Sequence, residues 1–270
     1  MRQLFAFAFF VVVSTHAAIA ADTEAAQPPW LAAQSLLNKA SADISTGGIV
    51  ALAPYVPDLQ KALESAVPVM QPVDQGNGES VVLTDGMMET IMALGEASKD
   101  DPKKHIVALP TPYIKISLFL GSYYNETRDP AAAIVALDRG IALSDIAGLG
   151  FGEQDSYLLS EKGAALEALK RFDESLSTYD KGLALPVLTD QDRARLYRGR
   201  GYSLTELGRL DDAEKAYKDS LVCEPNNARA LNELKYIAQV RAGRPPVAGT
   251  IQTVQPAQSH DARSDQCGKT

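Results

Sequence analysis

The sequence has few of the residues that build metal and catalytic sites. Its 270 residues include three histidines, two cysteines and one tryptophan. His16 lies in the N-terminal apolar segment, which leaves His105 and His260 for any imidazole chemistry. Two histidines are too few for a histidine metal site or for a convincing catalytic triad. We therefore expect no enzymatic activity, no metal ion and no cofactor.

Positive charge is also scarce. The chain carries 26 basic and 34 acidic residues, which gives a formal net charge of -8 at pH 7. Proteins that bind nucleic acid need a basic face that neutralises phosphate groups. The charge balance therefore argues against a nucleic-acid partner.

The chain has one extended apolar run, from Leu4 to Val13. Arg2 precedes this run, and Ala18-Ile19-Ala20 supplies the small-x-small cleavage pattern of a secretory signal peptide. An uncleaved membrane anchor is the alternative, but the run is much shorter than the ~20 residues that a helical span needs. We predict that residues 1–20 are removed, that no transmembrane segment remains, and that the protein is periplasmic or secreted.

The two cysteines, Cys223 and Cys267, lie in the C-terminal part of the chain. An exported protein meets an oxidising compartment, which permits a disulfide bond. Connectivity does not follow from sequence alone. Two hypotheses stay open here: a bridge between these residues, or two free thiols with Cys223 packed at a helix end.

The N-terminal region, residues 21–110, is irregular and mostly helical. Apolar periodicity predicts three helices, at about 30–42, 57–66 and 86–97. In the third helix, Met87, Ile91 and Leu94 share one face. This region contains no histidine or cysteine cluster, yet an enzyme site within it is one alternative that we keep open.

Two short strands are expected in the same region. The β-branched run at 80–83 and the apolar run at 106–109 predict strands that pair with each other. The segment 71–79 is polar and rich in turn residues, so we interpret it as a loop.

After Pro110 the chain repeats itself. Gly121, Gly163 and Gly201 each have a small residue twelve positions later and a large one four positions after that. These later residues are Ala133 with Leu137, Ser175 with Tyr179, and Ala213 with Tyr217. Two helices that approach at the small residues, with the large residues filling the space between them, explain this spacing.

This pattern resembles the tetratricopeptide repeat, a helix–turn–helix unit of about 34 residues. The copy that matches best contains Tyr197, Gly201, Leu204, Gly208, Ala213, Tyr217 and Pro225. The glycines stand 42 and 38 residues apart, and we place the extra residues in loops between units. Together with the signal peptide, the resemblance implies an exported repeat protein of bacterial type.

The expected fold class is mainly α. Residues 111–242 are expected to form an α-solenoid of about three helix pairs, ending in a capping helix over 228–241. Residues 243–270 are rich in Pro, Gln, Ser and Gly, and we predict a disordered tail. Within the repeats, Gly208 is expected to take a left-handed conformation, and Asp211 is expected to cap the helix that follows.

The resemblance implies that the first helices of the pairs line a concave groove. The candidate groove residues are Lys115, Asn125, Tyr157, Arg195, Arg198, Tyr202, Arg229, Asn232 and Tyr236. Ser160, Ala164, Glu167 and Thr205 share the same helix faces. Arginine and tyrosine often carry interface energy, and arginine binds carboxylates through two hydrogen bonds. The alternative is that these arginines pair with the protein's own acids and that the tyrosines merely cover helix surfaces.

The leading hypothesis is a non-catalytic interaction scaffold or assembly factor of the cell envelope, which binds an acidic or C-terminal peptide or a partner helix. Leu118 and Ser122 stand where the carboxylate-clamp members of the family would have Lys and Asn, which argues against recognition of a chaperone tail. The alternative hypothesis is a structural accessory subunit of an envelope complex, docked through its N-terminal region.

Overall fold

The computed structural model of the chain describes residues 28–75, 78–100, 105–144, 152, 154–243 and 267. The predicted signal peptide and nearly all of the predicted tail lie outside these residues.

The N-terminal region begins with three consecutive helical segments. These are α1 (Pro29–Gly47), a 3-10 helix (Ile49–Tyr55) and α2 (Val56–Glu64). They pack on one another, and all three also contact the first helix of the repeats, α4 (Tyr113–Glu126). The buried side chains of this region, such as Leu52 and Leu59, belong to one apolar core with Leu120 and Leu137 of the repeats. The N-terminal region is therefore continuous in its packing with the repeats.

A small three-stranded sheet follows, in the order β1-β2-β3. Its elements are β1 (Pro72–Asp74), β2 (Glu79–Thr84), α3 (Met87–Asp100) and β3 (His105–Pro110). β2 pairs with β3 in parallel, which confirms the two predicted strands and their pairing. β1 pairs antiparallel with β2 inside the segment that we predicted to be a loop, so that prediction was wrong at 72–74. Three residues are too few for alternation to be visible in the sequence.

The α3 helix exposes its apolar side. Met87 is 74% exposed and Ile91 is 59% exposed, while Glu89 and Ala93 on the opposite side are buried against the sheet. The prediction that Met87, Ile91 and Leu94 share a face is confirmed, but that face points away from the protein core.

The C-terminal part confirms the predicted fold class, an α-solenoid of helix pairs. The pairs are α4 with α5 (Pro130–Ser144), α6 (Asp155–Ala168) with α7 (Phe172–Leu183), and α8 (Asp190–Glu206) with α9 (Leu210–Cys223). The capping helix α10 (Ala228–Arg241) follows and packs on α9. Asn227 caps α10 by accepting a hydrogen bond of 3.2 Å from the Ala230 backbone N–H.

The repeated glycines lie where the two helices of each pair approach closest. A Cβ atom added at Gly121 would overlap the Leu137 side chain, and one at Gly163 would overlap the Tyr179 ring. A Cβ at Gly201 would stand 2.9 Å from the Tyr217 ring. In each of the three pairs, the glycine and the large residue sixteen positions later are therefore in direct contact.

The turns inside the three pairs share one backbone geometry. Arg128, Lys170 and Gly208 occupy equivalent positions and all have positive φ angles, of 64°, 59° and 73°. The residue after each one donates a backbone hydrogen bond of 2.8 to 2.9 Å to the carbonyl five residues before it. The left-handed turn is therefore confirmed at Gly208, and two of the three units form it without glycine.

One capping prediction was wrong. Asp211 does not cap α9, because this helix starts at Leu210 and its N-cap residue is Arg209. Asp211 lies in the first turn and pairs instead with Arg241 of α10. The helix begins directly after the Gly208 turn, two residues earlier than a cap at Asp211 would place it.

Cys223 and Cys267 form a disulfide bond. Cys223 is buried at the end of α9, beside the N-terminus of α10, so the bond anchors the far end of the C-terminal segment to the last repeat. This resolves the question that the sequence left open. None of the described helices combines the length and the apolarity that crossing a membrane requires.

Candidate binding groove

The first helices of the pairs form one continuous surface. α4 packs on α6 and α6 packs on α8, whereas each second helix packs against the first helix of the next pair. Because successive first helices contact one another, we assign them to the inner side of the solenoid. This is the side on which the groove was predicted. The predicted arginines lie on α8 and α10.

Arg195 is held in place from two sides. Its guanidinium carbon lies 3.8 Å from the centre of the Tyr157 ring, in a cation–π contact between α6 and α8. Its Nη2 donates a hydrogen bond of 2.6 Å to Asp192, one turn earlier on α8. Asp192 is itself fixed, because it forms a capping box with Thr189. The Arg195 Nε is buried and has no hydrogen-bond partner in the described chain.

Arg198 lies one turn further along α8 and forms an ion pair with Glu224, which follows α9. Burial lowers the pKa of Arg198, and the charges of Arg229 and Arg195 lower it further, against the opposing effect of Glu224. Arg198 of α8 is therefore close enough to Arg195 of α8 and Arg229 of α10 to be affected by both of their charges. Arg195 and Arg198 both pair with acids of the chain. This agrees with the alternative hypothesis, in which the arginines pair with the protein's own acids.

Arg229 is the third of these cations. It is exposed, and it forms no ion pair or hydrogen bond with any residue that the structure describes. Tyr202, 40% exposed, lies within reach of its charge, and the Tyr202 ring contacts Phe172 edge-on at 6.5 Å between centroids. Arg229 and Tyr202 therefore offer an unpaired cation beside an exposed aromatic ring.

Glu167 lies on the groove side of α6, facing this cluster. Ser203 donates a hydrogen bond of 3.1 Å to its carboxyl group, and the Tyr179 hydroxyl bonds to it as well. Burial raises the pKa of Glu167 to about 7, although Ser203, Tyr179 and the charge of Arg229 favour the ionised form. Glu167 therefore changes charge near neutral pH.

The remaining predicted groove residues are dispersed. Asn125 donates hydrogen bonds of 2.9 and 3.1 Å to the Glu161 carboxylate and backbone carbonyl, which join α4 to α6. Lys115 is exposed and lies 5.5 Å above the Phe119 ring. On α10, Asn232 is exposed, and Tyr236 packs half-buried against the core of the last pair. The structure thus gathers Tyr157, Arg195, Arg198, Tyr202 and Arg229. Asn232 lies one turn from Arg229 on α10.

Sequence reasoning did not assign roles to three acids of this site. Asp192 stands three residues before Arg195, which is a visible helical pairing signal. Glu224 is 26 residues from Arg198, so no local pattern connects them. Glu167 was placed on the groove face, but its raised pKa depends on burial in the folded structure. Within the described residues, no group of three His, Cys, Asp or Glu side chains is arranged to hold a metal ion.

Helix pairing, the glycine contacts and the shared turn geometry together decide the architecture of residues 113–241. These residues have the tetratricopeptide-repeat fold. No protein-family model matches the chain. The human RNA polymerase II-associated protein 3 is 26% identical over 127 residues, which cover 36% of this chain and 19% of that protein. The chain therefore matches about a fifth of that relative's length.

Solved tetratricopeptide-repeat domains are also similar. The first TPR domain of human RPAP3 has a TM-score of 0.43 and 25% identity, and the match covers 48% of this chain and 94% of that one. The first TPR of Spaghetti (RPAP3), bound to the HSP90 peptide SRMEEVD, has a TM-score of 0.41 and 26% identity, with the same coverage.

Proposed function

We propose that this protein is a non-catalytic interaction module that binds an acidic or C-terminal peptide segment of a partner protein in the groove between α6, α8 and α10. The arginine cluster of Arg195, Arg198 and Arg229 carries this proposal. In a chain of net charge -8, Arg198 lies near the charges of both Arg195 and Arg229, which lower its pKa. An anionic ligand would offset these charges.

The bonding state of the arginines supports an anionic ligand. Asp192 and Glu224 offset two of the three charges, so Arg229 stays unpaired among the described residues. Arg195 also keeps its buried Nε donor without a partner in that part of the chain. An unsatisfied buried donor costs about 1–3 kcal/mol, which a ligand oxygen would recover.

The aromatic residues support a peptide rather than a free ion. Tyr157 and Tyr202 are both about 40% exposed on the groove side of their helices. Exposed tyrosines beside arginines provide apolar contact area for side chains that flank a carboxylate. We also propose that the protein is exported, on the basis of the signal-peptide pattern in residues 1–20.

The proposal is tested by fluorescence anisotropy with a labelled acidic peptide. SRMEEVD, with its free C-terminal carboxylate, serves as a generic acidic probe and not as a specific chaperone tail, which Leu118 and Ser122 argue against. An analogue without carboxylates (SRMQQVN, C-terminal amide) is the matched control. The wild-type protein should bind the acidic probe, with an affinity that falls as salt increases. Arg229→Gln should weaken binding about tenfold or more, because a hydrogen bond to a charged group contributes about 1.5–3 kcal/mol.

Lys235→Gln is the matched protein control. Lys235 is an exposed cation on the same helix, but it lies six residues from Arg229 and so faces elsewhere. Equal losses for the two variants would indicate general charge attraction and not a groove site. Equal binding of the two peptides would exclude an acid-specific ligand.

A second candidate function is docking through the N-terminal region as an accessory subunit. The exposed apolar side of α3, which includes Met87, Met88 and Ile91, favours it. Because the N-terminal region shares its core with α4, a deletion would expose that core, and surface substitutions are the sharper test. Met87→Lys with Ile91→Lys should abolish crosslinking to a partner under this second function and leave it unchanged under the first.

A further inference from the structure

The outer edge of β3 presents backbone groups that are free to pair with another strand. The Thr111 N–H, just after β3, donates a hydrogen bond of 2.8 Å to the Thr84 carbonyl of β2. In a strand, the backbone groups of successive residues point alternately to its two edges. The N–H and C=O groups of Ile106 and Ala108 therefore point away from β2. In the described part of the chain, no strand pairs with this side of β3.

Residues 106–109 of β3 lack the features that protect an edge strand from pairing. Natural edge strands carry charged residues, proline or bulges that keep other chains away. β1, at the opposite edge of the sheet, has Pro72 and Asp74 among its three residues. In β3, residues 106–109 are uncharged and half-buried, and their register with β2 is continuous up to Pro110. The outer edge of β3 is therefore suited to receive a further strand.

The sequence of β3 is self-complementary in an antiparallel pairing. When Val107 of one copy lies opposite Val107 of a second copy, Ile106 of each copy lies opposite Ala108 of the other. The outward N–H and C=O groups of Ile106 and Ala108 then exchange hydrogen bonds across the two-fold axis. A large side chain faces a small one in each of these pairs, so the two strands approach without crowding.

The same pairing would bring two α3 helices together on one face of the joined sheet. α3 packs on both β2 and β3, so it lies over these strands, roughly one strand spacing from the axis between the copies. A second α3 would then lie about 10 Å from the first, a distance at which helices pack. Met87, Met88 and Ile91 of α3 are exposed in the single chain, and a second α3 would cover part of this apolar side.

We propose that two copies of this chain associate through the outer edges of their β3 strands, which joins their three-stranded sheets into one. This inference goes beyond the proposed function and does not depend on it. β3 packs on β2 and α3, whereas the proposed groove lies on α6, α8 and α10, so the pairing uses none of the groove residues. The dimer would carry two grooves and would bind a partner with two acidic segments more tightly than a single copy does.

The test is the mass of the purified protein, measured by analytical ultracentrifugation over a range of concentrations. Wild type should change from monomer to dimer as the concentration rises. Ala108→Pro should weaken association about tenfold or more, because it removes an outward N–H donor from each copy and leaves the hydrogen bonds to β2 in place. Ala108→Ser keeps the N–H and is the matched control, so it should associate as wild type does.

Amide hydrogen exchange checks both the place of contact and the fold of the variants. In wild type, the Ile106 and Ala108 amides should exchange more slowly at concentrations where the dimer forms than at those where the monomer prevails. The Val107 and Leu109 amides, which face β2, should stay protected in the monomer and in both variants. If Ala108→Pro loses that protection, the variant is misfolded and the wild-type exchange data decide the question.

Three results would overturn the inference. Wild type stays monomeric at every concentration, or a correctly folded Ala108→Pro associates as tightly as wild type does. In the third, the Ile106 and Ala108 amides are equally protected in monomer and dimer, which would show that the chain itself covers this edge. The groove function is tested separately, because both variants should bind labelled SRMEEVD with the affinity of wild type. Loss of peptide binding in a wild-type protein that still dimerises would remove the proposed function alone.

Discussion

The guanidinium group of Arg195 lies 3.8 Å from the centre of the Tyr157 ring and joins two neighbouring repeats across the groove. A cation–π contact contributes about 0.5–1 kcal/mol at an exposed site. Here it adds to the Asp192 ion pair and fixes the direction of a guanidinium group that the proposed ligand would meet. The contact therefore matters for orientation as much as for stability.

Removing the Tyr157 ring should weaken ligand binding by releasing Arg195. We expect Tyr157→Leu to lower the affinity for labelled SRMEEVD about two- to fivefold, which corresponds to the energy of one exposed cation–π contact. Tyr157→Phe keeps the ring and is the control, so it should bind as wild type does. An equal loss in both variants would assign the effect to the tyrosine hydroxyl instead.

The close approach of the helices at Gly163 should make that position intolerant of alanine. A Cβ at Gly163 would overlap the buried Tyr179 ring, and overpacking a core costs about 1–3 kcal/mol. Gly163→Ala should lower the free energy of unfolding by about that amount in urea denaturation. Gly95→Ala is the control, since a Cβ there meets nothing within 4 Å, and it should gain up to about 1 kcal/mol. Unchanged stability of Gly163→Ala would mean that the ring moves aside at no cost.

Much of this array could be predicted from the sequence because its determinants are local and periodic. The spacing of Gly163 and Tyr179 encodes their contact directly. The capping helix was predicted with its bounds from apolar periodicity and from the proline and asparagines before it. Predicting such features requires only the geometry of a helix and the length of one turn.

What could not be predicted depends on tertiary packing. β1 is too short to show a pattern, and its pairing with β2 is set by the hairpin. The Arg198–Glu224 pair joins α8 to the end of α9 over 26 residues of sequence and has no local signal. The exposed side of α3 was visible as an apolar face, but periodicity alone does not tell whether a partner helix covers such a face.

The left-handed backbone conformation of the turn at Lys170 predicts that glycine is more stable there than lysine. This residue has a positive φ of 59°, which costs a non-glycine residue about 1 kcal/mol or more. Lys170→Gly should raise the free energy of unfolding by about 0.5–1 kcal/mol, a net gain because glycine also makes the unfolded chain more flexible. The reciprocal variant, Gly208→Lys, should lose about 1 kcal/mol. Thermal unfolding of both variants measures this, and a loss in Lys170→Gly would contradict it.

The disulfide should stabilise the end of the array. It closes a chain segment of 44 residues that includes α10, and natural disulfides typically contribute about 2–4 kcal/mol. Reduction of the wild-type protein should lower its unfolding temperature and speed amide exchange in α10. Cys267→Ser should reproduce the effect, and Cys223→Ser should cost more because it places a hydroxyl at a buried position.

A thiol assay provides the direct check on the bond. The denatured, unreduced wild-type protein should contain no reactive thiol. Two reactive thiols, together with unfolding that is insensitive to reductant, would show that the bond does not form in solution.

The stability of the fold itself should depend on the ionisation of Glu167. Burial raises its pKa to about 7 in the folded state from a usual value of 4.5, so the folded protein holds this proton more tightly than the unfolded chain does. The stabilisation is fully present below about pH 4.5 and is lost as the pH rises through 7. The difference of about 2.5 pH units corresponds to about 3 kcal/mol.

Urea unfolding of wild type and Glu167→Gln between pH 5 and pH 8.5 measures this loss. Other acids with raised pKa values, such as Glu89 and Glu233, are present in both proteins, so the difference between the two curves isolates Glu167. We expect Glu167→Gln to gain stability relative to wild type as the pH rises, because a neutral amide can keep the Ser203 hydrogen bond without a buried charge. A difference that stays constant over this range would mean that Glu167 titrates as an ordinary exposed acid. In that case Glu167 would carry its negative charge throughout this pH range.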